Sequence, residues 1–252
     1  MSIAPSPHIA ALVKLALAAG REIMAIYGTD FSARAKGDLT PVTEADEVAE
    51  RVILDGLATL DPGTPVVSEE AASGGHIPDV ARDFYLVDPL DGTKEFISRN
   101  GEFTVNIARI RDGKPVAGVV YAPAQRSIYW GELDHGAAQA TIKPDETLSP
   151  WTPIHVRALP VDGATVVASR SHRDQATDDY LQTVKVKALC SAGSSLKFCL
   201  VAAGEADLYP RFGRTMEWDT AAGHAVLLAA GGRVLATDGG PLLYGKSGRG
   251  FD

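Results

Sequence analysis

The chain has 252 residues, of which 45% are hydrophobic and 22% charged, a composition typical of a folded globular protein. Its formal net charge of −8 argues against non-specific binding to nucleic acid. No uncharged stretch exceeds 13 residues, fewer than the roughly 20 that a membrane-spanning helix needs, and two cysteines cannot form a disulfide framework.

The first third of the chain shows helical periodicity and then strand-like runs. Apolar residues at a helical period predict a helix over 8–27. Thr43, followed by Glu44 and Asp46, predicts an N-cap for a second helix that continues through Leu57. Apolar runs predict five strands, the last three of them a meander, at 65–68, 84–87, 104–110, 115–122 and 127–131.

The polar, proline-containing segment 143–153 predicts a seam between two lobes, 1–155 and 156–252, which we expect to act as one catalytic unit. Beyond it, strands and helices alternate. The strands are expected at 165–168, 184–189, 207–209 and 234–236, and the helices at 177–183, 195–203 and 219–230. These elements predict an α/β (α+β) fold built as a layered αβαβα sandwich.

Three acid-bearing segments stand out: Ser68-Glu69-Glu70, Asp88-Pro-Leu-Asp-Gly-Thr93 and Glu217-Trp218-Asp219. Two of them directly follow predicted strands, where loops of α/β folds present functional groups. Crowded carboxylates repel one another unless a cation neutralises them. Hard oxygen ligands without nearby His or Cys favour Mg²⁺, and the carbonyl of Leu90 is a further candidate ligand.

Charge is also unevenly distributed. Residues 38–70 hold nine acidic residues and one basic residue, whereas 163–216 hold seven Lys or Arg and five Asp or Glu. This division would suit a cation site that faces an anion site.

Taken in order, these segments resemble the inositol monophosphatase superfamily of Mg²⁺-dependent, lithium-sensitive phosphatases. The resemblance runs essentially end to end and includes Pro41-Val-Thr-Glu-Ala-Asp46. The runs 91–97, 100–107, 169–172, 193–199 and 208–213 resemble the bacterial CysQ branch of 3′(2′),5′-bisphosphate nucleotidases. Inositol-specific members typically read Asp-Gly-Thr-Thr-Asn-Phe where this chain has Lys94-Glu95-Phe96.

The resemblance implies a catalytic centre with two or three Mg²⁺ ions and inhibition by Li⁺. Glu69, Asp88 and the Leu90 carbonyl would hold one ion, and Asp88, Asp91 and Asp219 a second. Asp46 and Thr93 would orient and deprotonate the attacking water, while Glu70 would support the site in a role not separable from that of Glu69.

The resemblance also implies a small-molecule substrate, adenosine 3′,5′-bisphosphate (PAP), with its sulfated analogue PAPS as a further candidate, and a place in sulfur assimilation. The expected substrate-binding residues are Gly92, Thr93, His172, Ser194, Ser195, Lys197, Arg211 and Asp219. The first helical turn near Ser194 and Ser195 suits an anion, and Arg211 suits a phosphate.

We expect a cytoplasmic protein without a secretory leader or transmembrane segment. Peripheral association with the inner membrane, and the choice between monomer and homodimer, stay open.

Four other interpretations of these motifs exist. The Asp-x-Asp motif of haloacid-dehalogenase-like phosphatases has one residue between its aspartates, whereas two separate Asp88 from Asp91. Ser194-x-x-Lys197 resembles a penicillin-binding box, but the accompanying Ser-x-Asn box is missing. Inositol monophosphatase or fructose-1,6-bisphosphatase specificity would keep the same metal site. A non-catalytic nucleotide sensor is the alternative of a different class.

Overall fold

The computed structural model describes residues 3–35, 41–80, 82–169 and 174–252. Its N-terminal elements are helix α1 (Pro7–Tyr27), strands β1 (Ala33–Ala35) and β2 (Pro41–Thr43), and helix α2 (Glu44–Leu60). Thr43 caps α2 through a capping box with Asp46, because its hydroxyl accepts a hydrogen bond from Ala45 N at 3.2 Å. The predicted start of this helix is therefore confirmed.

A seven-stranded sheet forms the centre of the molecule. Its order is β3 (Val66–Ser68), β4 (Asp83–Asp91), β5 (Thr104–Arg111), β6 (Lys114–Ala122), β7 (Ser127–Glu132), β8 (Gly136–Thr141) and β9 (Thr152–Pro153). Strand β3 runs parallel to β4, and each later neighbour is antiparallel. The five predicted strands are confirmed, whereas β8 and β9 are additional. The segment expected as a seam thus ends as the edge strand of this sheet.

Short helices follow the first two strands of the sheet. Helix α3 (Glu69–Ser73) begins directly after β3, and α4 (Thr93–Ile97) begins after Gly92. Neither helix was expected, because five residues are too few to show a periodic pattern. The first residue of α3 is Glu69 and that of α4 is Thr93, and both are expected site residues.

The C-terminal part holds a smaller parallel sheet of β10 (Ala164–Ser169) and β11 (Val186–Ala192), connected through α5 (Gln175–Gln182). Helices α6 (Leu196–Ala202) and α7 (Glu217–Ala229) follow. The strand expected at 234–236 does not form. Only a bridge joins Leu235 to Pro241, because a turn at Asp238-Gly239-Gly240, with Gly239 at φ +84°, ends the run.

Helices cover both faces of the large sheet. Side chains of α1 and α2 pack on one face, and those of α6 and α7 pack on the other together with β10. Helix α7 lies so close to the sheet that a Cβ on Gly131 would be 2.5 Å from Val226 Cα. The α/β layers confirm the predicted fold class, and α7 carries its acidic first turn to the end of β4. Among the described residues, no helix has the length and apolarity needed to cross a membrane.

Candidate active site

Four carboxylates from three elements meet at one end of the large sheet. Glu69 is the first residue of α3, Asp88 and Asp91 lie near the end of β4, and Asp219 lies in the first turn of α7. Strand β4 changes its register against β5 between Asp88 and Asp91. This irregularity lets the strand turn into Gly92, which adopts φ +95°.

The electrostatics show that these carboxylates face each other. Burial, together with the charges of Glu69, Asp91 and Asp219, raises the pKa of Asp88 well above its ordinary value. Burial and the charge of Asp219 raise the pKa of Asp91 to about 6. Burial and the charge of Glu69 raise the pKa of Asp219. In Asp88, Asp91 and Asp219 the charged form is therefore disfavoured by burial and by the neighbouring carboxylates.

The donor set fits a hard divalent cation, because it consists of buried carboxylate oxygens whose repulsion a cation would relieve. Among the described residues, no three acidic, histidine or cysteine side chains are already gathered as a finished metal site. The chemistry of the donors therefore suits a hard divalent cation.

Asp91 is held by donors from both halves of the chain. Its Oδ2 accepts from Ser195 Oγ at 3.1 Å, and it has longer contacts with Asn106 Nδ2 at 3.4 Å and Thr104 Oγ1 at 3.5 Å. Ser195 Oγ also lies 2.8 Å from the carbonyl oxygen of Asp219. The serine hydroxyl thus links two of the candidate metal ligands.

Asp46 and Thr93 form a second, separate pair. Thr93 Oγ1 donates to Asp46 Oδ1 at 3.1 Å, while Asp46 Oδ2 accepts from Thr43 N at 2.8 Å and from Thr43 Oγ1 at 2.6 Å. Asp46 is buried and belongs to the capping box of α2. The capping interactions with Thr43 therefore fix the Asp46 carboxylate that the Thr93 hydroxyl contacts.

A cavity of about 320 Å³ opens beside the carboxylates. Its lining includes the acidic residues Asp91 and Asp219 and the basic residues Lys197 and Arg211. Among the described residues, no group accepts a hydrogen bond from the buried Nε of Arg211. A free guanidinium N–H next to a cavity is suited to an anionic ligand.

Lys197 is almost fully buried, with 3% of its surface exposed. Its Nζ donates to the carbonyl of Ser194 at 2.6 Å and lies 3.3 Å from that of Ala192, and it lies over the ring of Tyr209, 5.3 Å from the ring centre. Burial lowers its pKa to about 8, and the charge of Asp91 opposes this shift. The side chain of Lys197 therefore brings a largely buried positive charge to the lining of the cavity.

Ser194 connects the two halves of the site. It adopts φ +50°, and its hydroxyl lies 2.8 Å from the carbonyl oxygens of both Asp91 and Glu102. A Cβ on Gly92 would be 2.3 Å from this hydroxyl, so glycine is required there for the close approach. The hydroxyls of Ser194 and Ser195 both bind protein groups here, and α6 begins only at Leu196.

The remaining expected site residues have varied positions. Leu90 is buried, its N donates to Asp88 Oδ1 at 3.0 Å, and its carbonyl lies 3.4 Å from Thr93 Oγ1. Glu70 follows Glu69 in α3, and its carbonyl accepts from Gly74 N. His172 lies outside the described residues.

Two residues near the site were missed in the sequence. Asn106 in β5 contacts Asp91 and Ser195. Glu50 in α2 accepts from the Ser68 hydroxyl and from Ala71 N, so it holds the segment that carries Glu69. A polar residue within the apolar run 104–110 was the one available signal for Asn106, whereas Glu50 resembles any acidic residue on a helix.

Comparisons with known proteins show the family to which the chain is related. The 3′(2′),5′-bisphosphate nucleotidase CysQ of Escherichia coli K12 is 51% identical over 234 residues, 92% of this chain and 91% of that protein. The crystal structure of CysQ from Bacteroides thetaiotaomicron superposes with a TM-score of 0.72 at 38% identity, covering 88% of this chain and 86% of the other. An IMPase from Thermotoga maritima, 24% identical, shares the fold with a TM-score of 0.76, covering 91% of this chain and 85% of the other. The profile of the Inositol monophosphatase family matches residues 4–250, and the chain belongs to that family.

Proposed function

We propose that this protein hydrolyses the 3′-phosphate of adenosine 3′,5′-bisphosphate and releases AMP and inorganic phosphate. The observation that carries the proposal is the cavity of about 320 Å³, whose lining combines the buried carboxylates of Asp91 and Asp219 with Lys197 and Arg211. Of the two phosphates of a bisphosphate, one would lie against cations held by the carboxylates and the other against Lys197 and Arg211. The names of the relatives support this substrate.

In this proposal Asp46 and Thr93 act on the attacking water. The Thr93 hydroxyl donates its proton to Asp46, so its oxygen is free to accept a hydrogen bond from water. As the water oxygen bonds to phosphorus, its proton passes to the pair and the bond between phosphorus and the 3′-oxygen breaks. The 3′-oxygen leaves with the electron pair and gains a proton from solvent. Water attacks directly, so no phosphorylated enzyme is formed.

Divalent-metal dependence is a property of the family, and we propose that Mg²⁺ is the ion here and that Li⁺ inhibits. Glu69, Asp88, Asp91, Asp219 and the Leu90 carbonyl would hold two or three ions. When bound, such ions neutralise and polarise the phosphoryl group. The carboxylates keep the ions in place, and Glu70 supports them.

The basic residues of the cavity lining would bind the second phosphate and the nucleoside. Arg211 would donate its Nε–H to the 5′-phosphate, and Lys197 would supply positive charge from the lining of the cavity. Gly92 and Thr93 border the scissile phosphate. We also assign His172 to nucleotide binding on the basis of the resemblance. Ser194 and Ser195 would hold this part of the lining in place through the contacts that they make to Asp91 and Glu102.

The test is phosphate release from PAP and from inositol 1-phosphate, measured side by side with Mg²⁺ and then with added Li⁺ or a chelator. We expect a large preference for PAP that both treatments abolish. Equal or faster hydrolysis of inositol 1-phosphate would overturn the nucleotide assignment of Lys197 and Arg211 while leaving the catalytic centre intact. No hydrolysis of either substrate, together with tight binding of PAP, would favour a nucleotide sensor.

We further propose a cytoplasmic site of action. Cys190 and Cys199 are both free thiols, the state that a reducing compartment maintains. Fractionation of cells that express the protein would test this location.

A further inference from the structure

Asn106 is a buried amide in the middle of the large sheet. It lies in β5 directly opposite Asp88 of β4, and only 1% of its surface is exposed. Its neighbours Val105, Ile107 and Ala108 are apolar and fully buried. Asparagine is disfavoured in strands, and a buried polar side chain is costly unless its hydrogen bonds are made, so this position calls for an explanation.

Both N–H groups of this amide point toward the carboxylate site. Nδ2 of Asn106 donates to Ser195 Oγ at 3.0 Å and lies 3.4 Å from Asp91 Oδ2. Since Ser195 Oγ accepts from the amide, its own proton is available to Asp91 Oδ2 at 3.1 Å or to the Asp219 carbonyl at 2.8 Å. Asn106, Ser195 and Asp91 therefore form a closed triangle.

The other end of the amide shows what sets its orientation. Among the described residues, none donates to the buried Oδ1 of Asn106. Rotating the amide by half a turn would satisfy nothing at Asp91, because it would place Oδ1 against the Asp91 carboxylate. The side chain leaves its own carbonyl without a partner in order to present its N–H groups to Asp91 and Ser195.

We propose that Asn106, acting through and beside Ser195, is a positioning residue that orients the Asp91 carboxylate for the divalent cation. The inference rests on the proposed function in one respect, namely that the carboxylates hold such a cation. The three side-chain donors to Asp91 all approach Oδ2. Partners that orient a metal ligand in this way typically change metal affinity by roughly 10- to 100-fold when removed.

The test measures Mg²⁺ binding by calorimetry in the absence of any nucleotide. We expect Asn106→Ala to raise the Mg²⁺ dissociation constant about 10-fold or more. Ile107→Ala is the matched control, since Ile107 is the next residue of β5 and packs on the opposite face, in the core beneath α1 and α2. The control should lose thermal stability and keep the Mg²⁺ affinity of the wild type.

Ser195→Ala removes another member of the triangle formed by Asn106, Ser195 and Asp91. This variant remains informative if Asn106→Ala does not fold. The positioning role predicts weaker Mg²⁺ binding without nucleotide, and a double variant whose effect is smaller than the product of the two single effects. An unchanged Mg²⁺ affinity in the folded Ser195→Ala variant, with a higher KM for PAP, would overturn the inference and return Ser195 to substrate binding. Equal losses in Ile107→Ala and Asn106→Ala would overturn it as well.

The two proposals fail in different ways. If the wild type binds Mg²⁺ and the variants bind it more weakly, the positioning role stands even when PAP is not hydrolysed. If PAP is hydrolysed and the variants bind Mg²⁺ as the wild type does, the positioning role is wrong and the proposed function stands. A wild type without measurable Mg²⁺ binding would also overturn the positioning role.

Discussion

The Asp91 side chain shows how much of the candidate site depends on one carboxylate. It accepts from residues 13 and 104 positions away along the chain, and its pKa is raised to about 6 by burial and by Asp219. Its charge is therefore disfavoured in the folded protein without a cation. Such a group contributes to chemistry at the expense of stability.

We predict that Asp91→Asn reduces turnover by at least about 100-fold, because it removes a proposed ligand rather than a group that orients one. The substitution also removes a buried charge, so the melting temperature should be unchanged or higher. Phosphate release and thermal unfolding measure the two effects. Activity close to that of the wild type would contradict the assignment of Asp91 as a metal ligand.

Lys197 allows a test by pH. Its pKa is lowered to about 8, first by burial, so the ammonium group loses its proton as the pH rises through 8. We predict that the KM for PAP rises between pH 7 and pH 9, because the cavity then loses positive charge. Lys197→Met keeps the packing and removes the charge. Its KM should be high at pH 7 and change less with pH, and a loss confined to kcat would instead assign Lys197 to the transition state.

At the scale of elements, the segment that carries Glu69 is held from a neighbouring helix. Glu50 of α2 accepts from the Ser68 hydroxyl and, at 3.0 Å, from Ala71 N. These two contacts lie on either side of Glu69. The orientation of a proposed metal ligand thus depends on a residue that does not face the cavity.

We predict that Glu50→Ala lowers kcat by about 10-fold or more, since displaced ligands bind the metal less well. Glu47→Ala is the matched control, because Glu47 lies in the same helix and, within the described residues, forms an exposed ion pair with Arg34 at 2.7 Å. Exposed ion pairs contribute little to stability, so the Glu47→Ala control should keep its activity. Equal activity of the two variants would show that Glu50 does not orient the site.

Local motifs were predictable from the sequence, and contacts between distant segments were not. The cap at Thr43 and the acids at the ends of β3 and β4 depend on neighbouring residues, so their pattern is visible in a short window. Asn106 and Ser195 meet across 89 positions, which no local pattern reveals. The expected strand at 234–236 is reduced to a single bridge between Leu235 and Pro241, because the chain turns back at Gly239 and leaves too few residues to extend the pairing.

At the scale of the whole molecule, the site depends on both halves of the chain. Asp88 and Asp91 come from the large sheet, and Asp219 comes from α7, which packs on that sheet. We propose that 1–155 and 156–252 form one catalytic unit for this reason. The packing of α7 therefore affects both global stability and the position of Asp219.

His224 connects that packing to pH. It is buried in α7, and its Nδ1 lies 2.9 Å from the hydroxyl of Tyr244. Burial lowers its pKa from 6.5 to about 4. Between these values the unfolded chain binds a proton that the folded protein does not bind, so stability is complete above pH 6.5 and falls as the pH decreases toward 4. Across this pH range the free energy of unfolding falls by about 3 kcal/mol because of His224.

We predict that the free energy of unfolding, measured with urea at pH 7 and pH 4.5, falls less in His224→Gln than in the wild type. Glutamine can still bond to Tyr244, but it has no proton to gain in this range. His76→Gln is the control, because His76 is exposed, and it should keep the dependence of the wild type. Part of the dependence should remain in His224→Gln, since burial also lowers the pKa of His8. An identical fall in His224→Gln and the wild type would mean that the burial of His224 does not limit stability in acid, and that the packing of α7 tolerates its charged form.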